Sequence, residues 1–87
     1  MSKQEKTIAR VLSGAADASL SFRDLCQLLR GLNFEERVRG SHHIFSHPDI
    51  PEILNLQPRF GRAKPYQVRQ IRGLILQYGL GGHTRER

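Results

Sequence analysis

The sequence predicts a small α+β domain in which two helices cover one face of a three-stranded antiparallel sheet, with a helical extension ahead of it. Three observations predict this. Apolar residues recur at helical spacing over 22–30 and again from Pro65 to Tyr78, the stretch between them alternates with period two, and Gly, Asn and Pro punctuate the boundaries. Eighty-seven residues suit one such domain and exclude a large two-domain enzyme. With 38% apolar and 25% charged residues the chain can bury a modest core and does not have the composition of a disordered polymer.

Residues 3–13 place Ile8, Val11 and Leu12 on one side of an otherwise polar helix. Gly14-Ala15-Ala16-Asp17-Ala18-Ser19 follows, a run of small residues that reads as a loose tether. Whether the first helix covers the core, meets a partner or frays is open at this level. The next helix starts at Ser21, which with Asp24 three residues on resembles a capping box, and its apolar face is Phe22, Leu25, Cys26, Leu28, Leu29 and Leu32. Gly31 is the expected left-handed cap, with Arg23, Gln27 and Arg30 on the wet side. Phe34 to Arg39 and His42 to His47 read as two strands joined by the turn Gly40-Ser41. Pro48-Asp49-Ile50-Pro51 is expected to break the second strand, and Ile53 to Gln57 to form a third, with Leu54 and Leu56 on one face. Pro65 suits the first turn of the last helix, whose buried face is Val68, Ile71, Leu74, Ile75 and Tyr78 before Gly79 ends it, with Arg69 and Arg72 on the other face. The expected organisation is a helical extension and linker over 1–20, a domain over 21–80 and a flexible tail over 81–87.

Charge narrows the partner. Fourteen Lys and Arg against eight Asp and Glu give +6. Residues 1–52 are neutral, and the whole excess falls in 53–87, where Arg59, Arg62, Lys64, Arg69, Arg72, Arg85 and Arg87 face Glu86 alone. Eleven of the cations are Arg, whose planar fork matches phosphate oxygens and stacks on bases, so a nucleic acid is the expected partner, with an acidic protein close behind. The single Cys26 excludes an internal disulfide and reads as a small core residue. With no long apolar run and no signal-peptide pattern after Met1, no membrane contact is expected, and the cytoplasm is the expected compartment.

Three histidines fall at 42, 43 and 47. A metal site is not expected, because alternation along a strand points His42 away from His43 and His47, and no carboxylate or thiolate nearby is expected to complete a plausible ligand set. No cofactor is expected either. Phe45, the largest apolar group of the strand, should face the helices and take His43 with it, leaving His42, Ile44 and Ser46 on the open face. If Ile44 faces the core instead, the two histidines exchange roles.

One imidazole beside several Arg can cleave RNA without a metal. The substrate's own 2′-OH attacks the adjacent phosphate once a base removes its proton, and cations stabilise the charge that grows on the phosphate oxygens. Arg59, Arg62, Lys64 and Arg69 are the candidates to hold phosphates. Two other functions fit the same composition: a non-catalytic RNA-binding module, and a basic module that pairs with an acidic protein.

Gly40-Ser41-His42-His43-Ile44-Phe45-Ser46-His47-Pro48 resembles the Gly-Ser-His strand motif of HicA-type toxins, and Lys64-Pro65 through Tyr78-Gly79-Leu80 is similar to that family's last helix. The resemblance covers roughly residues 21–80. It implies a double-stranded-RNA-binding-domain-like α-β-β-β-α fold, a toxin of a HicA/HicB toxin–antitoxin module, and an endoribonuclease that cleaves mRNA. It also implies that His42 is the catalytic histidine, with His43 as its rival in the doublet, that Ser41 joins the RNA-binding candidates, and that a HicB-type antitoxin covers the active site. The chain departs from the family's pattern at Ile50-Pro51-Glu52 and at Asn55-Leu56-Gln57-Pro58.

Overall fold

A computed structural model of the protein describes residues 2–82. In chain order it has helix α1 (Lys3–Ser13), helix α2 (Phe22–Gly31), strands β1 (Glu35–Arg39), β2 (His42–His47) and β3 (Ile50–Leu56), helix α3 (Pro65–Tyr78) and a short 3-10 turn, Leu80–Gly82. The α+β architecture predicted from periodicity is present, with the sheet in the order β1-β2-β3 and both pairings antiparallel. Of the tail expected over 81–87, Gly81 and Gly82 belong to the 3-10 turn, and the rest lies outside the described residues.

The first helix is capped on both sides of its start. Ser2 Oγ accepts the Glu5 N–H at 3.1 Å and Glu5 Oε1 accepts the Ser2 N–H at 2.9 Å, a complete capping box, and Gly14 ends the helix at φ 75°. Ile8 and Val11 are buried and Leu12 packs against the same core, so α1 covers the core beside α2 and α3. The loose tether expected after it is corrected by its contacts. Leu20 is fully buried, and Arg72 of α3 holds both the Asp17 carboxylate, at 3.0 and 3.2 Å, and the Val11 carbonyl, at 3.0 Å. Arg72 therefore does not belong to an open basic face.

Ser21 caps α2 by accepting the Asp24 N–H at 3.0 Å, while the shorter Asp24 carboxylate meets Lys3 at 3.2 Å. The left-handed cap at the other end is Asn33, at φ 74°, and not Gly31, which is the last helical residue. Asn33 N–H reaches the Arg30 carbonyl and Phe34 N–H the Leu29 carbonyl, both at 3.0 Å, which is the Schellman pattern.

Arg39 pairs with His42 across a two-residue turn in which Gly40 has φ 58°. The next turn is only Pro48-Asp49, since His47 pairs with Ile50, so β3 begins at Ile50 and includes Pro51, earlier than the Ile53 expected. Proline is tolerated there because β3 is an edge strand and is irregular at that point, where Pro51, Glu52 and Ile53 stand opposite Ser46. Phe45, Leu54 and Leu56 fill the covered side of the sheet with Leu25, Leu28 and Leu29 of α2 and Val68, Ile71 and Ile75 of α3. The other side, which carries Arg37, Arg39, His42, Ile44 and Asn55, has no helix over it among the described residues.

Candidate nucleic-acid interface

The buried Phe45 settles the phase of β2, and one residue of offset gives the two adjacent histidines different surroundings. His42 is exposed on the open face. Its Nδ1 lies 3.0 Å from Asn55 Oδ1 on β3. A carboxamide oxygen only accepts, so in this contact Nδ1–H is the donor and Nε2 is the ring nitrogen left for a ligand. Beside it, Ser41 Oγ accepts from Gln57 Nε2 at 2.8 Å. The Gln57 carbonyl accepts from Gln67 Nε2 at 3.2 Å, and Gln67 Oε1 accepts the Lys64 N–H at 3.1 Å. A line of hydrogen bonds thus joins the Gly40-Ser41 turn to the start of α3. Gln67 is fully buried with both ends of its amide used, which is the condition for burying one without a large penalty.

His43 faces the helices. It packs edge-on against Phe22 of α2, ring centroids 4.9 Å apart, and its Nδ1 lies 2.7 Å from Glu36 Oε2. Glu36 Oε1 in turn takes Arg30 through Nε at 2.8 Å and Nη2 at 2.7 Å. Burial pushes the Glu36 carboxyl up, but the hydrogen bonds from His43 and Arg30 outweigh it and hold the group below its ordinary 4.5. Cys26 completes the cluster, with its sulfur and the ligand atoms of Glu36 and His43 all within 4.8 Å of one another. The expectation that no carboxylate or thiolate comes near the histidines is therefore corrected. These are the groups that could hold a metal ion, yet Arg30 occupies the carboxylate, and burial, with the Glu36 charge next, pushes the Cys26 thiol up to about 11. The cluster opens onto a cavity of about 380 Å³ that Arg23, Pro58 and Gly61 also line. His47 serves the neighbouring turn, where its Nδ1 accepts the Asp49 N–H at 3.0 Å.

Arg59, Arg62 and Lys64 come together around a second cavity, of about 350 Å³, with Phe60, Pro65 and Ala18. Their loop is a tight reversal. Arg59 N–H donates to the Arg62 carbonyl at 2.9 Å and Arg62 N–H to the Arg59 carbonyl at 3.0 Å. It is fixed to the start of α2 on both sides, by Phe22 N–H on the Gly61 carbonyl and Ala63 N–H on the Leu20 carbonyl, each 3.0 Å. Arg69 is exposed on α3 and does not line this cavity. Among the described residues Arg59, Arg62, Lys64 and Arg69 form no ion pair, whereas Arg30 and Arg72 do.

Sequence reasoning overlooked several members of this surface. Arg37 and Arg39 share the open face with His42, Arg39 as its direct cross-strand partner, but counting charge by halves of the chain cancelled them against acids such as Glu36 that point the other way. Asn55 and Gln57 carried a usable signal, two amides alternating with Leu56 on a strand. Phe60, an aromatic between basic residues, carried one too.

The family described as the HicA toxin of bacterial toxin–antitoxin matches residues 22–80. No curated protein and no solved structure gives a significant match. The matched stretch runs from the start of α2 to just past the end of α3, more than half of the 87 residues, and it includes the Gly-Ser-His turn, the sheet and the basic loop. By that match the chain belongs to the HicA toxin family of bacterial toxin–antitoxin systems.

Proposed function

We propose that the protein is a metal-independent endoribonuclease that binds and cleaves mRNA, with His42 as general acid/base. The observation that carries this reading is the environment of His42: it is exposed on the open face with Nδ1 3.0 Å from Asn55 Oδ1, an orientation in which Nε2 is the nitrogen offered to a 2′-OH. The freed 2′-oxygen attacks the adjacent phosphorus, the P–O5′ bond breaks, and the proton passes from His42 to the departing 5′-oxygen. The products are a 2′,3′-cyclic phosphate and a 5′-OH. Ser41, Arg59, Arg62, Lys64 and Arg69 bind phosphates, and the unpaired cations supply the charge stabilisation. In this reading residues 21–80 are the toxin domain, residues 1–20 an extension of it, and a HicB-type antitoxin is the protein partner that covers the site.

A second reading is favoured by one specific contact. His43, held by Glu36 and lining a cavity with Arg23 and Arg30, has the arrangement of a carboxylate-oriented base. Cleavage of a long unstructured RNA in EDTA by the wild type, His42→Ala and His43→Ala, with folding checked by circular dichroism, separates the two. We expect His42→Ala to lose about a hundredfold or more in rate while staying folded. Loss only in a folded His43→Ala moves the chemistry to the helix side. If all three bind RNA and none cuts, the chain is a non-catalytic RNA-binding module; binding to an acidic protein alone, with no affinity for RNA, leaves the interaction module.

A further inference from the structure

Phe60 is 93% exposed, the largest exposure of any big apolar side chain in the described residues. Its backbone is also strained, at φ 51°. With Gly61 at φ 76° it forms the centre of a two-residue reversal closed by the reciprocal Arg59–Arg62 hydrogen bonds, a place where Asn, Asp or Gly is the ordinary choice. An aromatic there has both a backbone cost and a ring left almost wholly to solvent. The surroundings indicate what covers it. The Arg59 guanidinium lies 5.8 Å from the ring centroid, Arg62 and Lys64 line the same cavity, and among the described residues no acidic side chain lines it.

We infer that Phe60 is a stacking platform for an unpaired RNA base, set so that the flanking Arg59, Arg62 and Lys64 hold the phosphates on either side of that nucleotide. The inference rests on the RNA-binding reading above and deepens it. An aromatic face accepts any base, and the cations track the backbone, so this contact adds affinity for single strands without choosing a sequence. The chain can extend by at most about 11 Å between Gln57 and Phe60, so the platform stays close to the Ser41–Gln57 pair and to His42 beside it. A base stacked at the loop fixes the register of the strand that passes the histidine.

The chain contains no tryptophan, so Phe60→Trp installs a lone reporter in the full-length protein. The probes are an uncleavable 2′-O-methyl ten-nucleotide single strand and an abasic backbone of the same length. Expected results are an affinity of Phe60→Ala for the strand about 5- to 100-fold below wild type, near-wild-type affinity for Phe60→Trp, and Trp emission quenched by the strand but not by the abasic backbone. The melting temperature of Phe60→Ala should equal or exceed that of wild type, which excludes a folding defect. Wild-type affinity in Phe60→Ala, or equal quenching by both probes, overturns the platform and leaves the ring to a protein partner. Absence of RNA binding by the wild type is a different failure, because it removes the RNA reading itself.

Discussion

Deleting the Arg72 guanidinium tests whether α1 is part of the cooperative fold. Arg72 makes three hydrogen bonds from one fork, two to Asp17 and one to the Val11 carbonyl in the last turn of α1, and the Arg72 and Asp17 side chains are only 21% and 16% exposed. A buried hydrogen bond to a charged group contributes about 1.5–3 kcal/mol. Three that share one guanidinium do not add, and water reaches about a fifth of each side chain, so Arg72→Ala should cost about 2–3 kcal/mol. An exposed ion pair would contribute about 0–1 kcal/mol. Against a total stability of roughly 5–15 kcal/mol the expected loss is large, and it corresponds to a fall of roughly 10–20 °C in melting temperature. Arg72→Lys keeps the charge and loses the fork, and should recover no more than roughly half. Urea unfolding followed by circular dichroism on wild type, Arg72→Ala, Asp17→Asn and the double variant closes a thermodynamic cycle, with a coupling of about 1.5 kcal/mol or more expected. A cost below about 0.5 kcal/mol, or single costs that simply add, would show the pair solvated like any surface pair and refute the reasoning.

Two further outcomes follow from the cluster under β2. The Glu36 carboxyl is held below its ordinary 4.5, so the unfolded chain takes up that proton first, and the stability contributed by the Arg30–Glu36–His43 contacts is complete above pH 4.5 and lost as pH falls through the lowered value. Melting temperatures measured from pH 6 down to pH 3 should therefore fall more steeply for wild type than for Glu36→Gln, and parallel profiles would contradict this account. Cys26, with its thiol pushed up from 9.0 to about 11, has roughly one hundredth of the thiolate of an ordinary cysteine at pH 8, so iodoacetamide should alkylate the folded chain at least roughly a hundredfold more slowly than the urea-unfolded chain. Similar rates in both states would mean the sulfur is neither buried nor protonated.

What could be read from the sequence was local in origin. The period-two run over β1 and β2, the Gly40-Ser41 turn, the Ser21 cap and the apolar stripe of α3 are each set by a few adjacent residues, and each is found in the structure. The misplaced details are contests between neighbours. Asn33 took the left-handed position expected of Gly31, because α2 continues through Gly31 and its last turn closes at Leu32. Pro48-Asp49-Ile50-Pro51 does end β2, but the expected start of β3 at Ile53 excludes Pro51, which an edge strand admits. The groups of the candidate site were harder, since contacts between residues distant in sequence make them: Cys26 with His43, Gln57 with Gln67. Charge counted along the chain cannot say that Arg72 is occupied and Arg39 is not.

The same contacts explain how so small a chain can hold a cation-rich loop in place. Two peptide hydrogen bonds fasten the 59–62 reversal to Leu20 and Phe22, and the buried Gln67 amide ties the end of β3 to the start of α3. Ordering a loop of this kind on binding would cost about 1–2 kcal/mol of backbone entropy per residue, and a loop already fastened by these hydrogen bonds has less of that cost left to meet. The strain at Phe60 is consistent with the same construction, because a non-glycine residue keeps a positive φ only where the flanking structure over-determines it. Preorganisation also bears on a site with one proposed acid/base group. A single imidazole offers few routes to rate beyond the geometry of the phosphate before it, so loosening the loop from α2 should lower cleavage through positioning even when every cation and both histidines remain.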